Sequence, residues 1–417
     1  MQEKSFKVIH LSRADISGGA ARAAYRIHQC LRADGVDSHM WVDKAIAGDW
    51  TVHGPKTRAE KAGALLRASA TAPIVSMLKT SNPIMHSLAL LPSNWATRIN
   101  ESDADLVNLH WVQHEMISIA DIGRIKKPIV WTLHDMWAFC GAEHLAWDER
   151  WRDGYRRDNR PAHELGFDLN RWTWQRKLKH WLRPMQLVAP SQWLADCAQE
   201  SKLMADWPVS VVANPIDTER WRPFNPTLAR DLLGLPLNRP LLLFGSYGAN
   251  QAHHKGFDLL LKALDYLQRH LHVSNLELVV LGQLAPQNSP KLGFPIHFIG
   301  HMHDDLSLIA IYSAVDAVVV PSRQEAFGQI AAEAHACATP VIAFRTGGLP
   351  DIVEHRHTGY LARPFDTRDL AEGIRWVLTT LKTYNLGEQA RRRAETRLKG
   401  SRIAKLYRQV YHRVLAE

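Results

Sequence analysis

The chain has 417 residues, 46% of them apolar and 22% charged, with a formal net charge of +9. That length exceeds what one hydrophobic core usually serves, so two domains are expected, and the ordinary mixture excludes disorder as the main state. The excess of Lys and Arg points to an anionic partner: nucleic acid, an anionic membrane or a phosphorylated ligand.

The first predicted strand is 6–12. A loop holding Gly18 and Gly19 follows, then a helical pattern to about Ala33, which Gly35 ends. Strands are predicted at 38–42, 105–110, 128–133, 185–189 and 209–213. Apolar, β-branched runs separated by helical stretches indicate βα units and a buried parallel sheet. Residues 57–100 fit this scheme poorly and read as a helical insertion, with a lid or membrane-contacting element as the alternative. The pattern restarts after Asn214, Pro215, Ile216 and Asp217. Strands at 240–245, 276–282, 296–300, 317–321 and 340–344 alternate with helices, of which 258–270 and 370–381 are the clearest. The fold class is therefore α/β, with two Rossmann-like, doubly wound parallel-sheet domains: 1–214, carrying the insertion, and 215–390. Residues 391–417 read as a basic C-terminal helix that packs back toward the first domain. Ligands of such sheets bind beyond the carboxyl ends of the strands, and the cleft between two facing sheets is the natural site.

The basicity is local. Ten Lys and Arg against four Asp and Glu lie in 150–183, and nine against two lie in 391–417. The remainder is slightly acidic. Trp172, Trp174 and Trp181 accompany the first segment, and Tyr407 and Tyr411 the second. A basic face edged with Trp and Tyr suits a headgroup interface or a nucleic-acid surface, and charge alone does not choose. The absence of a recognised nucleic-acid motif argues against the latter. Fourteen of the 15 Trp lie at or before Trp221, so the halves contact different things. The N-terminal residues are too polar for a signal peptide, and no apolar run is long enough to span a membrane. Cys30, Cys140, Cys197 and Cys337 form no CxxC pair and read as buried reduced thiols. A cytoplasmic protein, with peripheral contact at the inner membrane face, is expected.

The strongest chemical signal is a strand ending at Pro321, a loop carrying Glu325, and Gly328 opening a helix that carries Glu333. A helix N-terminus offers free N–H groups to an anion. Two carboxylates beside it can hold vicinal hydroxyls of a sugar and a ribose. Glu325, Glu333, the run Ala336–Phe344 and Gly347, Gly348 and Pro350 resemble glycosyltransferase family 4 of the GT-B fold. His254, Lys255, Gly256, Phe257 and Asp258 look like that family's lysine motif. Asn214–Asp217 resembles its interdomain turn. The Gly18–Gly19 loop, Asp105–His110 and Thr132–Asp135 match its N-terminal domain. The resemblance looks closest to the branch that builds colanic-acid-like exopolysaccharides.

The resemblance implies a metal-independent, retaining hexosyltransferase without a cofactor, using a UDP- or GDP-linked sugar as donor and a glycan acceptor, lipid-linked in this branch. Lys255 would neutralise the donor diphosphate. Glu333 would bind the ribose, and Glu325 the sugar hydroxyls, with the backbone of Ala326, Phe327 and Gly328 nearby. His134 would stand at the catalytic centre. Gly18, Gly19, His110 and Trp111 would serve the acceptor side, and Trp131 and Trp137 also flank these strand ends. The family usually has an Arg shortly after the strand-end Gly245. Ser246 follows it here, so Ser246, His254 or nothing replaces that Arg. The region after Cys140 lacks the Cys cluster of related sequences, so no structural metal is expected there. A degenerate GT-B protein that binds without transfer, and a sucrose- or trehalose-type synthase with a soluble acceptor, are the alternatives.

Overall fold

The structure is a computed structural model that describes residues 6–245, 253–285, 293–302 and 304–416. It divides into two compact units, 1–215 with 400–417, and 216–399.

The first unit holds a seven-stranded parallel sheet. Its strands are β1 (Lys7–Ala14), β2 (Asp37–Lys44), β3 (Val52–His53), β4 (Leu106–Leu109), β5 (Ile129–Thr132), β6 (Gln186–Ala189) and β7 (Val209–Val211). The order is β3-β2-β1-β4-β5-β6-β7, so the winding reverses between β1 and β4. One face is covered by the Gly19–Ala33 helix and by the C-terminal helix Gly400–Ala416. Val8, Leu106, Val130 and Val188 from the sheet meet Ile27, Leu31, Ile403, Tyr407 and Tyr411 from these helices in one core. Tyr411 Oη accepts from Asn108 Nδ2 at 2.7 Å, and Tyr407 Oη lies 3.1 Å from Thr132 Oγ1.

The second unit holds a six-stranded parallel sheet in the order β10-β9-β8-β11-β12-β13. These strands are β8 (Leu241–Gly245), β9 (Glu277–Leu281), β10 (Ile296–Gly300), β11 (Ala317–Val320), β12 (Val341–Phe344) and β13 (Gly359–Ala362). The winding reverses between β8 and β11. β3 and β13 were not expected from the sequence, because β3 has only two residues and β13 carries no β-branched residue.

The expected insertion contains helices Arg58–Ala70 and Ala72–Ser76. A Thr57–Glu60 capping box starts the first. The basic tail is not one helix. Leu386–Arg397 belongs to the second unit and Gly400–Ala416 to the first. The break is imposed by backbone pairing: Ile216 N–H donates to the Leu398 carbonyl at 2.8 Å, and Ile216 bridges Lys399.

Candidate active site

In the second unit the chemistry collects where the winding reverses, at the carboxyl ends of β8 and β11, the usual ligand position in an open α/β sheet. Lys255 Nζ is 2.8 Å from Glu325 Oε2, and Ser322 Oγ donates to the same oxygen at 3.1 Å. Burial raises the Glu325 carboxyl, but the Lys255 ammonium and the hydrogen bonds outweigh it, and the group sits below its ordinary range.

Backbone conformation places this pair. Gly256 has φ +70°, and a Cβ there would stand 1.9 Å from the Pro321 carbonyl oxygen. Only glycine lets the Lys255 turn lie against the end of β11. Gly347, at φ +55°, is pressed against the Glu325 backbone in the same way. Arg323 ties the two loops together: its guanidinium grips Asp258 at 2.7 and 2.8 Å, and its N–H donates to the His254 carbonyl. Lys255 is therefore a fixed cation and not a sweeping surface chain.

Gly328 adopts a left-handed conformation at the head of the Gln329–Ala336 helix, and no side chain caps that end. Its first N–H groups are available to an anion. Phe327 is 5% exposed, so only its backbone can face a ligand. Glu333 is buried within this helix and accepts from Tyr312 Oη and Gln329 Nε2, each at 3.2 Å. Ser246 lies outside the described residues. Burial and Lys255 push His254 down to about 4, so a neutral ring stands there and does not replace the charge of an Arg.

In the first unit the site is built from histidines. His10, in β1, places Nδ1 2.8 Å from His110 Nε2. His110 Nδ1 lies 3.1 Å from His134 Nε2, just beyond β5. Burial takes His10 and His110 well below their ordinary value, and takes His134 to about 4 against the pull of Asp135. His110 is 1% exposed and has both nitrogens engaged, which corrects the expectation that it contacts an acceptor. His10 was not singled out in the sequence. Its signal in the sequence was slight: His10 lies inside β1, while His110 and His134 stand just past the ends of β4 and β5.

Asp135 is held by a second network. It accepts from Trp111 Nε1 at 2.9 Å and from the Trp137 N–H at 2.9 Å, and His144 Nδ1 approaches to 2.6 Å. His144 Nε2 then meets Ser87 Oγ at 2.8 Å. Burial raises Asp135, the His144 and Trp contacts lower it, and the net is a depressed carboxylate. Trp131 and Trp137 are fully buried, leaving Trp111 as the partly exposed ring of the three. Gly18 has φ +95°, and nothing lies within 4 Å of a Cβ built on Gly18 or Gly19, so the backbone of this loop is open to close approach.

Of the five aromatics expected to edge the basic segments only Trp172 is partly exposed, with the Arg176 guanidinium 4.8 Å from its ring. Trp174, Trp181, Tyr407 and Tyr411 are in the core. Lys177 is wholly buried beneath the Trp137 ring and donates to the carbonyls of Trp137, Cys140 and Gly141. Buried Arg150 is surrounded by Asp148, Glu164 and Asp168. Charge in this segment is spent on holding loops as much as on facing solvent. Among the described residues no cluster of His, Cys, Asp and Glu could hold a metal ion, and no helix is long and apolar enough to cross a membrane.

Comparison with known proteins bears on these sites. Residues 17–220 match the model of Glycosyltransferase Family 4, and residues 235–394 that of Glycosyl transferases group 1. A D-inositol 3-phosphate glycosyltransferase of Saccharomonospora viridis is 35% identical over 184 residues, 40% of this chain and 41% of that protein. The chain covers half or less of the first such curated relatives it matches. Their names concern inositol phosphate, not the colanic-acid branch. A glycosyltransferase of Rickettsia africae superposes with a TM-score of 0.65 at 16% identity, covering 99% of each chain. Anabaena Alr3699/HepE, solved with UDP-glucose, superposes with a TM-score of 0.64 at 18% identity, covering 98% of this chain and 99% of that one. Two family models spanning most of the sequence and two parallel-sheet units of matching topology lead to one assignment: the chain belongs to glycosyltransferase family 4, with the GT-B fold.

Proposed function

We propose that the protein transfers a sugar from a nucleoside-diphosphate sugar, UDP- or GDP-linked, to a glycan acceptor with retention of configuration. The observation that carries this reading is the Lys255–Glu325 pair, fixed by Gly256 and Arg323 where the second sheet reverses its winding, beside an uncapped helix end. In the reaction the acceptor hydroxyl oxygen bonds to the anomeric carbon. The bond from that carbon to the diphosphate oxygen breaks, and the acceptor proton passes to the departing phosphate. Lys255 and the N–H groups after Gly328 stabilise the charge that develops on the diphosphate. Glu325 holds donor hydroxyls, with the backbone of Ala326, Phe327 and Gly328 alongside, and Glu333 takes the ribose. His134 stands at the reacting sugar, and Gly18, Gly19 and Trp111 serve the acceptor. Charge neutralisation is assigned to Lys255 and the helix end, which is the basis for proposing a metal-independent reaction.

We further propose a lipid-linked acceptor in exopolysaccharide or lipopolysaccharide assembly, with the protein peripheral on the cytoplasmic membrane face. Leu65, Leu66, Ile74 and Met77 of the 57–100 segment are exposed, which supports a lipid-facing role. The names of the curated relatives favour a second reading, a soluble polyol phosphate as acceptor. The neutral His254 favours a third, nucleotide binding without transfer.

A thermal-shift screen with UDP, GDP and ADP should single out one base, since a ligand at about 100 Kd stabilises by about 2.7 kcal/mol. Transfer is then assayed with the matching sugars against lipid-linked and soluble acceptors. Wild-type transfer by a Lys255→Ala, Glu325→Gln double variant overturns the proposal. Tight nucleotide binding with no turnover supports the third reading.

A further inference from the structure

His10, His110 and His134 form a hydrogen-bonded row that runs from the core of the first unit to its strand ends. Two features give the row a direction. At the inner end, His10 Nε2 is buried and has no hydrogen-bond partner among the described residues. At the outer end, His134 Nδ1 has no partner among the described residues and is not sealed from solvent.

Each N···N contact holds one proton. His10 and His110 are buried and His134 is partly so, no carboxylate is bonded to any of the three, and each is held below its ordinary value and is neutral. A neutral ring carries one N–H, so choosing the proton of one ring sets the other two. Only two arrangements exist. In the inward one, His134 Nε2–H donates to His110, His110 Nε2–H donates to His10, and His10 is left with a buried N–H aimed at nothing. In the outward one, His10 Nδ1–H donates to His110, His110 Nδ1–H donates to His134, and His134 keeps its proton on Nδ1. The buried end is then a bare lone pair, so each order leaves one unpaired atom there and the charge at the outer end chooses between them. The depressed Asp135 carboxylate adjoins the outer end, and its negative charge favours the N–H end of the row over the lone-pair end.

His28 does not reverse this choice. Its ring lies 5.8 Å from that of His10, but its nitrogens are taken by Ser38 Oγ at 2.8 Å and Thr51 Oγ1 at 2.9 Å. Thr51 gives its own proton to Asp49 at 2.6 Å, so His28 donates from Nε2 and accepts from Ser38. No acceptor remains there for a His10 N–H.

We propose that His10 and His110 are positioning residues which fix the proton of His134 on Nδ1, so that His134 meets the substrate as a hydrogen-bond donor and not as a base. The placing of His134 at the reacting sugar rests on the function proposed above; the proton order does not. An Nδ1–H donor steadies oxygen on the donor sugar or its leaving group. The acceptor proton is then left to the departing phosphate.

The test is a long-range proton–nitrogen spectrum of the full chain labelled with nitrogen-15 in histidine, with His134 assigned by its loss in His134→Asn. The expected spectrum shows His134 protonated on Nδ1 with Nε2 bare. An Nε2–H signal for His134 overturns the proposal. Two variants at the buried end separate a positioning role from packing. His10→Leu removes the inner donor and should mix the His134 tautomers, lowering kcat about tenfold at unchanged KM. His10→Asn keeps an N–H where Nδ1–H stood and should restore both. A His10→Leu protein with an unchanged His134 spectrum, or a folded His10→Asn protein no better than His10→Leu, overturns it. If His10→Leu does not fold, the wild-type spectrum decides alone. If no donor and acceptor pair supports transfer, the proposed function fails while the spectrum still judges the proton order.

Discussion

The two units hold their candidate site groups by opposite means. The second presents a fixed charge: Lys255 paired with Glu325, seated by two glycines in left-handed conformation and an Arg323 fork. The first presents a neutral ring, His134, at the end of a buried row of imidazoles. A charge can be held at a surface because its partner and solvent share the cost. A neutral donor must be aimed, and aiming needs depth. The difference teaches that burial alone does not distinguish such groups: Glu333 and His110 are both hidden, one a carboxylate bonded to Tyr312 and Gln329, the other a ring bonded to two more rings.

The largest expected effect strikes the charged side. Lys255→Ala should lower kcat/KM for transfer by about two to three orders of magnitude, the scale of removing one charge-stabilising donor. Steady-state rates with the cognate sugar nucleotide check this, and a loss under fivefold would place the diphosphate elsewhere. Next is the backbone beneath it. Gly256→Ala should cost roughly 2–4 kcal/mol, because a strained φ and a clash with the Pro321 carbonyl add together. Chemical unfolding of the variant reads the loss.

The buried side answers through Lys177. Lys177→Met should destabilise by about 2–3 kcal/mol, leaving three carbonyls without a donor. Burial, opposed by nearby Cys140, Glu143 and Asp135, pushes Lys177 down to about 7. The unfolded chain keeps that proton up to about 10, so it binds more protons than the folded one across this interval. Stability should therefore rise with pH from about 7 to about 10, and Lys177→Met should remove that slope. Melting temperatures across the interval compare the two. Smaller still is Tyr411→Phe, which should cost about 1 kcal/mol through one buried hydrogen bond to Asn108. The last effect is a slope at low pH. Glu325 is held below its ordinary value of 4.5, so its contribution is full above that value. It is lost as pH falls through the depressed one. Glu325→Gln should flatten that acid limb of a stability profile.

The elements around Lys255 and Glu325 were legible because they are local. A strand, a loop acid, a glycine and a helix sit within a dozen residues of β11, and the lysine turn ends in a glycine that only one backbone conformation explains. The two sheets were legible from apolar runs, apart from β3 and β13. The histidine row was not, because His10, His110 and His134 meet only through parallel pairing of β1, β4 and β5. Charge counts misled in 150–183. They register Lys177 and Arg150 as basic surface, while three carbonyls and three carboxylates have claimed them. The tail misled similarly: its helical pattern runs on across 398–400, and only pairing with Ile216 reveals the interruption.

The last helix completes the first sheet's core with Ile403, Tyr407 and Tyr411. In folding this makes the two units unequal. The second unit closes its core from one unbroken stretch, 216–399, whereas the first must join segments that the whole of the second separates in sequence. A chain cut before Gly400 would keep every segment of the second unit and uncover Val8, Leu106, Val130 and Val188 of the first, an apolar face that should make the truncated protein aggregate.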